Sequence, residues 1–302
     1  MQHTHSGGTA LHFRRSGLGR DNSLAFPWNA LAVLFTVLMI ATMFLPMWNV
    51  LVVSTSTALD ASQSGLKLWW TRFSMEGYAY VFQVVKLLRP FGNSLFVTTL
   101  GTVIQVLLSA LAGYVLIQQD LPLRNVLSSF IMLTMMIPGD LTLISIYQVN
   151  KHLGLLNTYA GLIINGLISG FSILMMRNYF STVSPSLAES ARIDGAGEVR
   201  IFRSIYMPIS LPGLATVFFL EYVARWNSIM LPATLITDES KYTLPLMLKA
   251  MILSTDSTSG TMVIPDNAFM AAIVISTIPL LIIYAVAQRF LMEGIQMGAV
   301  KE

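Results

Sequence analysis

Cysteine is absent from all 302 residues. Disulfides, thiolate metal sites and cysteine nucleophiles are excluded with it. Charge is scarce too: Asp, Glu, Lys and Arg make up 11% of the chain, where a soluble domain carries about 25%. The formal net charge of +3 comes without a basic stripe interleaved with aromatics, so nucleic acid is excluded as a partner. No Gly-Lys dipeptide occurs anywhere, and without it the G-x-x-x-x-G-K-[ST] phosphate cradle cannot be built. Neither H-E-x-x-H nor G-x-S-x-G is present, and His152 stands apart from any partner. The reading is of no enzyme, with no catalytic residue, no metal site and no cofactor held by this chain. His3, His5 and His12 fall in a polar tail, residues 1–27, rather than in a metal site.

What is abundant is apolar sequence, 54% of the chain. A helix needs about 20 mostly apolar residues to cross a hydrocarbon core. Six segments qualify, at 28–53, 92–117, 125–147, 159–178, 211–233 and 267–290. None alternates like a barrel strand, so helices are expected. The fold class is therefore an all-α integral membrane protein with six transmembrane helices spanning 28–290, followed by a 291–302 tail. With the N-terminus in the cytoplasm, ten Lys and Arg residues lie inside and seven outside. Arg177, Arg192, Arg200 and Arg203 crowd one inside loop, where such charges count most. Both termini are then cytoplasmic, in a multi-pass protein of the cytoplasmic (inner) membrane. Two long loops face outward, 54–91 and 234–266. The first carries Trp69, Trp70, Tyr78 and Tyr80, either as an interfacial belt with a short amphipathic helix or as a docking surface.

The loop 184–208 departs from the rest. Glu189, Arg192, Asp194, Glu198, Arg200 and Arg203 fall within twenty residues. Ser184 followed by Pro185 reads as a capped helix start with Glu189 near the favourable dipole end. Gly195 ends the helix with positive φ or admits another backbone, and a second helix runs on to Pro208. Ala188, Ala191 and Ala196 keep the surface small, which suits a helix entering a groove on another protein. A solvated connector is the alternative.

The spacing from Glu189 through Ser190 and Ala191 to Gly195, then Ile205 and Pro208, follows the pattern E-A-A, three residues, G, nine residues, I, one residue, L-P. Ser190 replaces one alanine and Met207 the leucine; Asp194 and Ala196 fit the common D-G-A core. The stretch resembles the EAA loop of ABC importer permeases. LGLLNTYAGLIINGL, MRNYF, WNS at 226–228, YTLPLMLK and FLMEGIQMGAVKE resemble sugar-importing permeases similar to the second permease of maltose-type importers. The complex-oligosaccharide branch, which includes the alginate importer's smaller permease, is the nearest in look. The resemblance implies a type I ABC importer permease-like fold with a cytoplasmic coupling helix. It implies ATPase coupling through Glu189, Ser190, Ala191, Asp194, Gly195, Ala196 and Pro208. The implied partners are a second, homologous permease, two ATPase subunits that bind ATP and Mg, an extracytoplasmic solute-binding protein, a saccharide and membrane lipid. The implied work is passage of an oligosaccharide, acidic such as alginate or neutral, by alternating access.

Glu221 and Arg225 lie four apart near the middle of the fifth span and so share a helix face. Charges at that depth are costly unless paired or functional. They either pair with each other or line a polar route for substrate, with Trp226 and Asn227 offering a flat face and an amide. Gln105 and Asn165 are weaker candidates. A secondary, ion-coupled carrier, or a permease for a non-sugar solute, is the alternative class. Such a carrier needs internal repeats and interrupted helices around midplane charges, and the halves show no convincing repeat.

The topology is directly testable. Single cysteines at positions 64, 155 and 257 should react with an impermeant thiol reagent in intact cells, and one at position 198 only after permeabilisation. Reaction at 198 in intact cells would reverse the orientation.

Overall fold

A computed structural model describes residues 26–256 and 264–299. The polar tail to residue 25, the segment 257–263 and the last three residues lie outside the described residues. The chain divides into two compact units, residues 1–47 and 48–302. In the first, most of helix α1 (Phe26–Ser54) exposes apolar side chains on every side, among them Leu31, Leu34, Phe35, Leu38 and Ile40. A helix apolar all round belongs in lipid or a large core. Its hydroxyls turn back onto its own carbonyls, Thr36 to Ala32 and Thr42 to Met39, so neither is left bare in hydrocarbon.

In the second unit, α2 (Ala58–Ala61) and α3 (Glu76–Tyr80) belong to the first long loop. A π-helical turn, Val81–Val85, extends α3, so that loop contains a short helix. Helix α4 (Leu88–Ile117) is a single 30-residue span. Its buried face carries Ser94, Thr98, Gly101, Thr102, Gln105, Ser109, Ala110 and Gly113, small residues at helical spacing that let neighbouring backbones close in.

The expected spans 125–147, 159–178 and 211–233 are not continuous helices. The first splits into α5 (Arg124–Met135) and α6 (Leu143–His152), with a 3₁₀ turn at Gly139–Thr142 between them. Pro138 withholds its N–H there, and Gly139 follows. The second splits into α7 (Tyr159–Ile164) and α8 (Gly170–Phe180). Asn165, Gly166 and Ser169 supply the breaking residues, and Ser169 caps α8 by accepting from the Ser172 N–H. In the charged loop come α9 (Pro185–Ile193), α10 (Glu198–Ile201), a π-helical turn Phe202–Tyr206, and α11 (Met207–Ile209). Helix α12 (Leu211–Trp226) leaves the 198–209 stretch at a bend of 78°, where Pro208 and Pro212 bracket Ser210. It ends at Asn227, before α13 (Met230–Leu235).

The second long loop is also less open than expected, since α14 (Leu244–Asp256) is an apolar helix inside 234–266. The last span, α15 (Asp266–Ala299), runs past residue 290 into the expected tail. Helix α12 lies against α4, α8 and α15, and α4 packs along α8. Two cores result. One joins Tyr222 and Trp226 of α12 to Ala268, Ala271 and Ala272 of α15 and Leu244 of α14. The other gathers Tyr114, Met176, Phe180, Ile201 and Tyr206 at the root of the charged loop.

Candidate functional site

Two sites emerge, one at the C-terminal end of α4 and one beside its middle. At the loop, Gly195 takes φ +81°, a conformation open to glycine and costly for most side chains. Its amide reaches back to Arg192, and that of Ala196 to Ala191, closing the end of α9. Ser184 begins α9 with Pro185 in the first turn, but its hydroxyl pairs with that of Ser186 instead of a backbone N–H. Glu189, Ser190, Asp194 and Pro208 are exposed, whereas Ala188 is buried and Ala191 and Ala196 are half-buried. The small residues thus face their own core. What faces away is Ile193, 87% exposed, and Val199, 81% exposed, on either side of the glycine turn.

The loop is tied to the bundle by contacts that the sequence did not reveal. Arg192 donates to Glu198 at 2.7 Å, fastening α9 to α10. The Tyr114 hydroxyl, from the last turns of α4, donates to the other oxygen of Glu198 at 2.5 Å, and Arg192 also reaches Gln118 at 3.4 Å. Beneath them, the rings of Tyr114, Phe180, Phe202 and Tyr206 meet edge-on or tilted, with centroids 5.0–6.4 Å apart. Beside α9 opens a cavity of about 920 Å³, with Arg124, Arg177, Glu189, Arg192 and Glu198 in its wall.

The second site is the break between α7 and α8. No ion pair joins Glu221 and Arg225 among the described residues. Instead the two charges address opposite sides of the break. Arg225 donates to the carbonyls of Leu162 at 3.2 Å and Gly166 at 2.6 Å, and to the Gln105 amide oxygen at 2.9 Å. Glu221, one turn earlier on α12, accepts from the Ser172 hydroxyl in the first turn of α8. A carboxylate thus sits where the N–H groups of α8 begin, and a guanidinium where the carbonyls of α7 end, each matched to the local polarity.

Space for the guanidinium is made by two glycines. A Cβ at Gly101 would lie 2.8 Å from its carbon, and one at Gly166 would lie 2.5 Å from a terminal nitrogen. Gln105 and Asn165 also find partners here: Gln105 holds Arg225, and Asn165 donates to Asn150 at 2.9 Å and to the Gly161 carbonyl at 2.6 Å. An open cavity of about 630 Å³ lies alongside, lined by Gln105, Thr134, Ser169, Glu221, Arg225 and Ser228. Trp226 is turned away from it, 2% exposed, stacked on Tyr222 and donating to the Ser276 carbonyl. Asn227 is exposed and bonds back to Val223. Ser172 and Gly166 were not legible as site residues; their only signal is the Asn-Gly and Ser-Gly pairs bounding a gap in an otherwise apolar run.

The chain has relatives among known proteins. Residues 105–296 match the family described as binding-protein-dependent transport system inner membrane component. The chain is 32% identical over 265 residues to the polygalacturonan/rhamnogalacturonan transport system permease protein of Bacillus subtilis (strain 168), covering 85% of this chain and 92% of that one. It is 29% identical to the diacetylchitobiose uptake system permease protein of Streptomyces coelicolor, over 94% of this chain and 91% of that one. Among solved structures, it superposes with a TM-score of 0.80, at 25% identity, on a chain of a bacterial ABC transporter involved in the import of the acidic polysaccharide alginate. That match covers 88% of this chain and 96% of the other.

The break predicts an order of sensitivities. Arg225→Lys keeps the charge but loses the fork that reaches three acceptors, and each charge-assisted bond is worth about 1.5–3 kcal/mol. Glu221→Gln keeps an acceptor for Ser172 and should cost less. In a detergent thermal-shift assay the lysine variant should melt clearly below the glutamine variant; the reverse order would remove Arg225 from its role at the break.

Proposed function

The chain belongs to the binding-protein-dependent transport system inner membrane components, and on that premise we propose that it is a permease subunit of an ATP-driven saccharide importer. The fold is that of a type I ABC importer permease. The observation that carries the rest is the loop: an exposed helix and glycine turn bearing Ile193 and Val199, fastened through Glu198 to the end of α4. A solvated connector has no use for two exposed apolar side chains held at a rigid turn. A helix docking into a cleft of a separate ATPase does.

In this reading Glu189, Ser190, Asp194, Gly195 and Pro208 form or frame the docking surface, and Ala191 and Ala196 seat the helix on the bundle. ATP and Mg belong to two ATPase subunits, not to this chain. A second, homologous permease completes the membrane domain, and an extracytoplasmic binding protein delivers solute. Both termini and the 184–208 loop are cytoplasmic, on the arginine bias of that loop. The saccharide class is supported by the names of the relatives, permeases of a polygalacturonan/rhamnogalacturonan transport system and a diacetylchitobiose uptake system, and by the likeness in fold and sequence to the alginate importer.

Solute passes along the cavity at the α7–α8 break, where Glu221, Ser169, Ser228 and Thr134 offer hydrogen-bonding groups to a sugar. Closure of the ATPases rocks the helices between inward and outward openings. Shifting such an equilibrium from 1:99 to 99:1 takes about 5.5 kcal/mol of differential binding. The interrupted helices are a feature that secondary carriers share; family membership and the loop favour the ATP-driven class.

Gly195→Asp separates docking from folding. No atom lies within 4 Å of a Cβ placed there, and Asp tolerates the left-handed conformation better than most residues. The variant should therefore accumulate in the membrane at wild-type level, while co-purifying ATPase and sugar uptake both fall by about tenfold or more, a loss of about 1.4 kcal/mol of docking energy. Normal ATPase recovery would return the loop to the role of connector.

A further inference from the structure

The five tryptophans of this chain differ in what their indole N–H groups do. Trp48 donates to the Leu68 carbonyl at 2.9 Å, Trp70 to the Thr55 hydroxyl at 2.7 Å and Trp226 to the Ser276 carbonyl at 3.1 Å. Trp69 makes no such bond among the described residues, and it is 73% exposed. A large ring with a free polar edge is a poor fit to bulk water and a good fit to a boundary between apolar and polar media.

Its position is fixed by two straps. Trp48 holds Leu68, and the Asn49 side-chain amide donates to the Lys67 carbonyl at 3.1 Å. Residues 67–68 are thereby held against the last two turns of α1, just before the span ends at Ser54. Trp70 locks the loop further: its ring lies edge-on to Trp48 at 6.0 Å and to Trp69 at 5.1 Å. Leu66, Leu68 and Phe73 are exposed near Trp69 in the chain, as is Leu51 in the last turns of α1.

The charges agree with this placement. Between Gln63 and Ser74 there is no acidic residue, but Lys67 and Arg72 are present. Asp60, whose carboxyl is held below the usual range by hydrogen bonds from Thr57 and then Arg72, is buried and anchors Arg72 from behind. The Lys67 ammonium is itself buried, so Arg72, with its side chain 60% exposed, is the basic group that can meet a layer of lipid phosphates beside the exposed aromatics.

We propose that Trp69 is a membrane anchor, seated in the headgroup layer of the leaflet that receives the end of the first span. The loop thereby fixes the depth of that span and the height at which its outer loop stands. A docking surface for the binding protein, or for the second permease, would use the same ring differently.

The test uses the assembled transporter in nanodiscs, comparing wild type with Trp69→Phe. At so exposed a site phenylalanine keeps the fold, and the difference in emission between the two proteins is that of Trp69. Phosphatidylcholine brominated near the headgroup should remove at least half of that difference emission, with aqueous iodide having little effect. Quenching by iodide and not by the brominated lipid would mean the ring stands in water, and would overturn the proposal. Quenching by neither, the mark of a partner chain over the ring, would overturn it equally. A nitroxide at a Leu66→Cys substitution, which leaves all tryptophans in place, should show greater collision with oxygen than with a water-soluble nickel chelate; the opposite ranking counts against it.

Discussion

Breaking a helix inside a membrane leaves carbonyls and N–H groups that lipid cannot satisfy, each at a cost of several kcal/mol. The rest of this bundle is arranged around that constraint at residues 165–169. Arg225 takes up carbonyls on one side of the break; on the other, the Ser169 hydroxyl accepts the Ser172 N–H and Glu221, one turn from Arg225 on the same helix, accepts the Ser172 hydroxyl. Gly101 and Gly166 are small because the guanidinium fills the space a Cβ would need. Gln105 is polar in the middle of an apolar span because it holds the same guanidinium. A cavity lined by polar groups exists beside the break because the helix is interrupted there.

Helix α4 links this site to the loop that projects from the bundle. Gln105 holds Arg225, and Tyr114, nine residues further on, holds Glu198. At 1.5 Å per residue that separation is about 13.5 Å along an unbroken helix. The contacts at both ends are hydrogen bonds to charged groups, which are stronger and more directional than apolar packing. A displacement of the loop, as the proposed docking of an ATPase would impose, has a stiff element to act on, one that passes the groups around the cavity.

The long helices were legible because composition alone decides them: α1, α4 and α15 are apolar for the full length of a bilayer. The helix, glycine turn and second helix of the 184–208 loop were legible because charge is rare enough elsewhere for six charges to stand out, and because Gly195 takes a positive φ. The interruptions were not, since an apolar run reads the same whether the helix continues or breaks. Asn165-Gly166 and Ser169-Gly170 mark the break only once a partner for the freed carbonyls is known. The spacing of Glu221 and Arg225 suggested a mutual pair for the same reason. Four residues apart they share a face, but sequence does not say that a broken helix lies across that face with opposite polarity at its two ends. Trp226, next to Arg225 in sequence, turns some 100° around the helix and goes into the core. The inward direction of Ala188 and Ala191 was likewise hidden, because small residues serve a partner's groove and an aromatic core equally well.

The absence of native cysteine allows the central claim, that solute moves past the α7–α8 break, to be tested at single positions. Ser169 and Ser228 both line the cavity, and cysteine is close to serine in size. In proteoliposomes of the assembled transporter, a cysteine at either position should react with an impermeant thiol reagent from one side of the membrane in the resting state. It should react from the other side after trapping with ATP and vanadate. Reaction from the same side in both states, with ATP hydrolysis intact, would contradict alternating access through this cavity.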